Sequence, residues 1–375
     1  TTNVSAQYAD DDVTVRDHRK AKDPFTVNKK NKAIDSRSTA EIISLPDINP
    51  EEKALAGINI SGIQIINAVS DSSLLGYVQT GMFNKWVEAV PDKPYTEYLQ
   101  SYVDHRYNLI YKAGATKLVW IIQELRINER TFNMSEKSFL HLKAISFAGD
   151  SSETFRLITA LDTILVKGGM DVTHKHGENI TDALQILLDQ TLTKNVLIQK
   201  ADYPVYTMSA IREKALERYN VPALQAKEHA DGIYLTFKEF INDQPSISDI
   251  AYSLEHNSVR FYHTDSNGNK IFVDKFWGVR KNGILLKQHY DLLIPIEQKG
   301  NSIALTSYLS LARRKNNAVL LNAMGGGLIG GAIVGAASGG SSKAGILPLV
   351  ENIPYIRKKP PLATNVDVET GEFAL

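Results

Sequence analysis

The sequence predicts an α+β fold: an N-terminal strand-helix-three-strand-helix domain followed by an antiparallel β-meander domain. Three observations predict it. β-Branched and aromatic runs at 118–127, 138–148 and 155–166 follow one another with short breaks, which reads as strands in series. Segments beginning at Pro94 and near Asn179 carry apolar residues at helical spacing. From Gly232 onward, short apolar runs are separated by turn residues, Asn282-Gly283 among them. Asn-Gly between strands marks a type I′ hairpin, because both central residues need positive φ.

The elements follow in order. Residues 1–55 alternate acidic and basic clusters with few large aliphatics, so a charged extended arm is expected. The α+β domain spans 56–192. Ile58, Ile60, Ile63, Ile65 and Ile66 predict its first strand, and Asp71-Ser72-Ser73 breaks it. Residues 76–81 read as a short extended loop. Pro94 opens a helix at a position proline tolerates, with Tyr95, Tyr98, Leu99, Tyr102 and Val103 on one face, and Gly114 ends it. The three strands come next, and Gly168-Gly169 punctuates them. Asn179 or Thr181 caps a helix whose buried face is Ile180, Ala183, Leu184, Leu187 and Leu188. Residues 193–230 read as a linker holding one short helix. The β domain, 231–375, has expected strands at 233–237, 259–263, 271–277, 284–286, 292–296 and 303–307. Returning strands are expected at 346–350, 355–356 and 366–368, around a glycine-rich insertion at 318–342.

In that insertion Gly327, Gly331, Gly335 and Gly339 recur every four residues, a glycine-zipper spacing that leaves a flat stripe for close contact. Glycine opposes a solvated helix by ~1 kcal/mol per residue relative to alanine. A compact contact with a partner or with the domain's own surface is therefore the first expectation, and a loop or a membrane contact the others.

Composition narrows the function. A chain of 375 residues suits two domains. Forty-two basic and 42 acidic residues cancel, so nucleic acid is not an expected partner. Cysteine is absent, which removes disulfides, thiolate ligands and cysteine nucleophiles. Val4-Ser5-Ala6-Gln7 has the small-residue character of the end of a signal peptide, so export is expected.

Three fragments carry a resemblance. Gly232-Ile-Tyr-Leu-Thr-Phe-Lys-Glu-Phe240 with Gln244-Pro-Ser-Ile247, then Phe276-Trp277-Gly278, then Asp367-Val-Glu-Thr-Gly371 resemble uncharacterised envelope proteins of Gram-negative bacteria. The order of elements in the first domain resembles small α/β domains of periplasmic outer-membrane accessory proteins. That resemblance implies a partner-binding role and no assigned activity.

Chemistry-bearing residues are few. Gly325-x-Gly327-x-x-Gly330 with Glu351 matches a dinucleotide fingerprint formally. Too few strand–helix units follow for a parallel sheet, and no cofactor is expected. His174 and His176, two apart on a segment read as extended, would point the same way and are the weak metal candidates. A surface loop explains them more simply. Glu124, Glu129 and Asp162 lie on expected strands and could act as acid and base if a cleft united them. Asp265-Ser-Asn-Gly-Asn269 reads as a turn. The resulting expectation is a non-enzymatic structural or interaction component of the envelope, periplasmic or outer-membrane-associated. Its partners would be envelope proteins, an outer-membrane protein among them. The alternative is an enzyme or small-ligand binder acting on envelope glycan or lipid.

Overall fold

The computed structural model describes residues 40–46, 57–80, 85–132, 135–149, 154–198, 204–255, 258–290, 292–305, 349–350 and 360–375. Most of the expected N-terminal arm, the signal-peptide pattern and the glycine-zipper residues Gly327, Gly331, Gly335 and Gly339 lie outside them.

The fold is α+β. Strands β1 (Glu41–Ile43), β2 (Ile60–Asn67), β3 (Gly76–Thr80) and β4 (Lys85–Pro91) precede helix α1 (Tyr95–Arg106). Strands β5 (Thr116–Phe132), β6 (Ser135–Gly149) and β7 (Thr154–Gly169) follow, then helix α2 (Lys175–Ile198) and strand β8 (Val205–Thr207). These strands form one sheet ordered β1-β4-β3-β5-β6-β7-β8, with β2 also paired to β5. The β5-β6-β7 meander is its spine. The far edge of β5 is shared, one part pairing with parallel β2 (Ile63 opposite Leu118) and another with parallel β3 (Gly76 opposite Ile127).

Pro94 starts α1 as expected, its carbonyl accepting the Tyr98 amide at 2.9 Å. Tyr95, Tyr98, Leu99 and Val103 face the sheet, so the tyrosine stripe is core. On α2, Ile180, Ala183, Leu184, Leu187 and Leu188 are all fully buried on the same sheet face. At ~1.5–3 kcal/mol for each large side chain withdrawn from water, this face alone fixes where α2 sits.

A β-bulge governs β5. The β5–β6 register shifts between Ile122 and Glu124. Before it, Leu118, Trp120 and Ile122 point into the α1/α2 core and Val119 and Ile121 point to the opposite face. After it, Leu125 and Ile127 again enter the α1/α2 core. One extra residue inverts the alternation. Without it, Glu124 and Arg126 would enter that core.

Several expectations are corrected. Residues 76–80 are strand β3, hairpin-paired to β4, not a loop. Gly168 and Gly169 complete β7. Helix α2 begins at Lys175, so Asn179 and Thr181 lie within it and do not cap it. The expected linker is partly element: α2 runs to Ile198, and β8 pairs with β7. Helix α3 (Met208–Leu216) buries Ile211 and Ala215 against Val119, Ile121 and Phe147.

A short helix α4 (Pro222–Gln225) leads to β9 (Gly232–Tyr234), and Phe237 opens a further helix, α5 (Phe237–Ile241), where a strand was expected. Strands β10 (Ala251–Glu255), β11 (Ser258–Thr264) and β12 (Lys270–Val273) form a three-stranded antiparallel sheet. Strands β13 (Gly278–Lys281), β14 (Ile284–His289), β15 (Leu292–Lys299), β16 (Ser302–Ala304), β17 (Asn365–Val366) and β18 (Phe373–Ala374) complete a sheet ordered β18-β17-β16-β15-β14-β13-β9. The β13–β14 hairpin turns on Asn282 (φ 52°) and Gly283 (φ 75°), the geometry the dipeptide predicts. Strands β16 and β17 pair antiparallel, and the Leu305 amide donates to the Thr364 carbonyl at 2.9 Å. The glycine-rich segment therefore lies in sequence between two neighbouring strands of one sheet.

The two sheets share a core. Tyr77, Trp86 and Phe139 of the first pack in one cluster with Tyr234, Trp277, Ile294 and Val366 of the second.

Candidate functional site

The bulge gives the second half of β5 a polar outer face: Glu124, Arg126, Asn128 and Arg130 alternate there. Cross-strand neighbours extend it, with Lys143 between Glu124 and Asp162, and His141 opposite Arg126. The C-terminal residues cover this face. Asn128 Nδ2 donates to the Leu362 carbonyl at 3.1 Å, and Arg130 donates to the Pro360 carbonyl.

Arg218 is the centre of the junction. It projects from the short turn Glu217–Tyr219 after α3, and its side chain is 3% exposed. Its Nη2 lies 3.0 Å from Glu124 Oε1 and 3.7 Å from Asp367 Oδ2, and its Nε lies 3.4 Å from Glu369 Oε1. Nη1 donates to the Gln123 carbonyl, the bulge residue, at 3.3 Å. Burial opposes the guanidinium charge, but Glu124, Tyr219, Glu369 and Asp367 outweigh it and hold its pKa above the ordinary value. Lys143 pairs with Glu369, and His141 Nε2 lies 2.7 Å from Asp162 Oδ1. The hydrogen bond from His141 holds the Asp162 carboxyl below its ordinary pKa.

The acidic side of the junction is a turn built for rigidity. Asp367 Oδ1 accepts the Glu369 and Thr370 amides at 2.8 Å each, and Gly371 has φ 73°. The Gly371 carbonyl accepts Trp277 Nε1 at 3.0 Å. A Cβ on Gly371 would stand 2.3 Å from the Phe237 ring, and Phe237 and Phe240 lie 5.3 and 4.3 Å from Trp277, centroid to centroid. The three sequence fragments singled out above thus meet in one aromatic node. Their residues pack and hydrogen-bond to each other, which is a structural role.

A second polar network lies on the opposite face of the sheet. His176 Nδ1 is 2.9 Å from Ser138 Oγ, and Nε2 is 3.3 Å from Glu129 Oε2. Asn179 Nδ2 donates to Ser138 Oγ at 2.8 Å. Ser138, His176, Glu129 and Asn179 are all fully buried. A serine, a histidine and an acid adjoin here, but the serine meets Nδ1 and the acid meets Nε2. With no exposed atom, the group docks the first turn of α2 on β5 and β6.

The expected sites are redistributed accordingly. His174 and His176 lie at a helix start and not on an extended segment. His174 is exposed and His176 buried, so the two do not converge. Among the described residues, no group of three or more His, Cys, Asp or Glu is placed to hold a metal ion. Glu129 faces α2, Glu124 faces Arg218 and Asp162 faces His141, so these three acids share no cleft. Asp265 accepts the Asn267 and Asn269 amides at 2.9 and 2.8 Å, the expected turn.

One surface escaped the sequence reading. On the three-stranded sheet, alternation sends Phe261 inward against Phe276 and sends Arg260 and Tyr262 the other way. Tyr262 stands opposite Phe272 in an edge-on pair at 5.7 Å. The Arg260 guanidinium lies 4.0 Å from the Phe272 ring centre, and Lys270 Nζ lies 4.5 Å from that of Tyr262. Phe272 keeps 37% of its surface exposed. Period-2 alternation of aromatic and basic residues was visible in the sequence, but which face met a core was not.

Comparison with known proteins gives no match to this chain: no family model, no curated protein and no solved structure.

Proposed function

We propose that this protein is a non-enzymatic interaction component of the bacterial cell envelope, periplasmic or outer-membrane-associated, and that it binds a protein partner through the outer face of β10–β12. The observation that carries this reading is the aromatic–basic surface of Arg260, Tyr262, Lys270 and Phe272. Large aromatic and arginine side chains dominate interface energetics, and cations over ring faces bind acidic groups while the rings exclude water. Phe261 packs in one cluster with Ile233, Phe276, Val279 and Leu286, which ties the three-stranded sheet to β9, β13 and β14 and favours a rigid platform over a hinge. The envelope assignment rests on the resemblance of the three fragments.

The test is a photo-crosslinking amino acid placed at position 272 in the native host. One discrete partner should be captured in the envelope fraction, and Tyr262→Ala with Arg260→Ala should abolish the adduct. Equal capture from position 266, in the exposed β11–β12 turn, would remove the assignment of this face.

A further inference from the structure

We infer that two copies of this chain pair through the free edge of β7, as an antiparallel twofold dimer centred on Thr163. Strand β8 pairs only with Thr154, Phe155 and Arg156 at the start of β7. From Leu157 to Gly169, β7 has β6 on one side and, among the described residues, no strand on the other. At ~3.3 Å per residue this open edge is about 40 Å long. Sheet edges are normally blunted by short strands, lysine, proline or a covering group. This chain blunts one of its own: Gln100 of α1 accepts the Ile65 amide at 2.9 Å and donates to the Ile63 carbonyl at 2.8 Å along β2. No side chain caps the backbone of Leu161–Val166 in this way among the described residues. Between Leu157 and Val166 the only charge is Asp162, there is no proline, and Val166 is 37% exposed.

The helix above this edge identifies the occupant. Helix α2 packs over β6 and β7. Glu178 and Asp182 lie 3.2 and 2.8 Å from Lys167 Nζ, and Lys194 Nζ donates to Thr159 Oγ1 at 2.8 Å. The helix therefore runs antiparallel to β7, with an acidic end by Lys167 and a basic end by Thr159. One cation serves two carboxylates, whose side chains stay 46% and 55% exposed. Lys194 is exposed and has no carboxylate partner among the described residues. Ile186, half-buried, is equidistant in sequence from Glu178 and Lys194, and Thr163 is equidistant from Lys167 and Thr159. Helix and strand thus share one centre. A twofold axis there sets each copy's Lys194 beside the other's Glu178 and Asp182, and brings the two Ile186 side chains together. Along the strands it sets Leu161 opposite the second copy's Leu165 and Ala160 opposite its Val166, and neither Asp162 nor Lys167 faces itself. With strands ~4.8 Å apart, the two α2 axes come to about 10 Å, the spacing of packed helices. A foreign segment of one charge sign would satisfy one end of the α2 face, whereas a second copy satisfies both.

Sedimentation velocity of the full chain tests this. The expected species has twice the 41.6 kDa mass of one chain. Glu178→Lys and Lys194→Glu each create like-charge contacts twice per dimer, so each should weaken self-association at least about tenfold. Mixed together, the two variants should form a heterodimer within about threefold of the parent's affinity, because opposite charges face each other again. Recovery on mixing also shows that each variant is folded. The chain has no cysteine, so the Thr163→Cys variant should become a disulfide-linked dimer under mild oxidation, and Met170→Cys should not. The inference is overturned if the chain stays monomeric at about 100 μM, if both charge variants dimerise as the parent does, if mixing them restores nothing, or if Met170→Cys links as readily as Thr163→Cys. The pairing involves no residue of β10–β12, so crosslinking from position 272 succeeds or fails independently of it.

Discussion

Replacing Arg218 by methionine isolates the energetic role of the junction. The variant keeps most of the aliphatic volume and removes the cation, leaving Glu124, Asp367 and Glu369 facing one another. The side chains of Glu124 and Asp367 are each 14% exposed, so water compensates them poorly. Glu369 is 37% exposed and keeps Lys143, so its share is discounted for screening. Removing one partner of a buried ion pair typically costs ~3–5 kcal/mol. The partial exposure here places the expected loss near the lower end, about 3 kcal/mol. Urea unfolding reads it directly, because Trp86 and Trp277 lie in the core shared by the two sheets. With a slope of ~3 kcal/mol per molar urea, the midpoint should fall by about 1 M. A triple variant adding Glu124→Gln and Asp367→Asn should regain a large part of the loss, since an asparagine side-chain oxygen at position 367 can still accept the turn amides. A single-variant loss under about 1 kcal/mol, or a triple variant no better than the single, would refute the electrostatic account.

Three further outcomes follow from particular side chains. The Tyr95 hydroxyl is buried with no partner, so Tyr95→Phe should be neutral or stabilise by up to ~1 kcal/mol in the same assay; a loss above about 1 kcal/mol would show a hidden partner. Burial, with Glu129 nearby, raises the Glu136 carboxyl pKa, so the folded state holds this proton more tightly than the unfolded chain. Its contribution is therefore fully present below the unfolded pKa of ~4.3 and is lost as pH rises through the folded value. Glu136→Gln should flatten that part of the stability–pH profile without destabilising at pH 7, and an unaltered profile would contradict the assignment. A Cβ on Gly76 would stand 1.9 Å from the Ile127 carbonyl oxygen, and its φ is 148°. Gly76→Ala should prevent β3 from pairing with β5 and cost ~3 kcal/mol or more, through backbone strain and overpacking together; a thermal midpoint within about 2–3 °C of the parent would count against the close approach.

Local pattern sufficed for some elements and failed for others, for reasons particular residues show. Helix α2 was legible because Ile180, Ala183, Leu184, Leu187 and Leu188 repeat at helical spacing. The β13–β14 turn was legible because Asn282 and Gly283 need the φ values they adopt. Strand β3 was not, because glycines at 76 and 81 read as loop residues and its place between β4 and β5 is decided by packing. Helix α2 reaches back past Asn179 because that side chain bonds Ser138 across the sheet in place of capping the helix.

The sequence by itself determined the α+β class, the β5-β6-β7 meander, the hairpin at Asn282-Gly283 and the buried face of α2, since each depends on residues a few positions apart. Tertiary structure alone decided the rest. The bulge at Gln123 turns Glu124 and Arg126 outward, Arg218 finds carboxylates from β5 and from the C-terminal turn, and His176 is sealed against Glu129. These are pairings of charge and shape between segments remote in sequence. A charge carries no mark of its partner until packing removes water and makes an unpaired one costly.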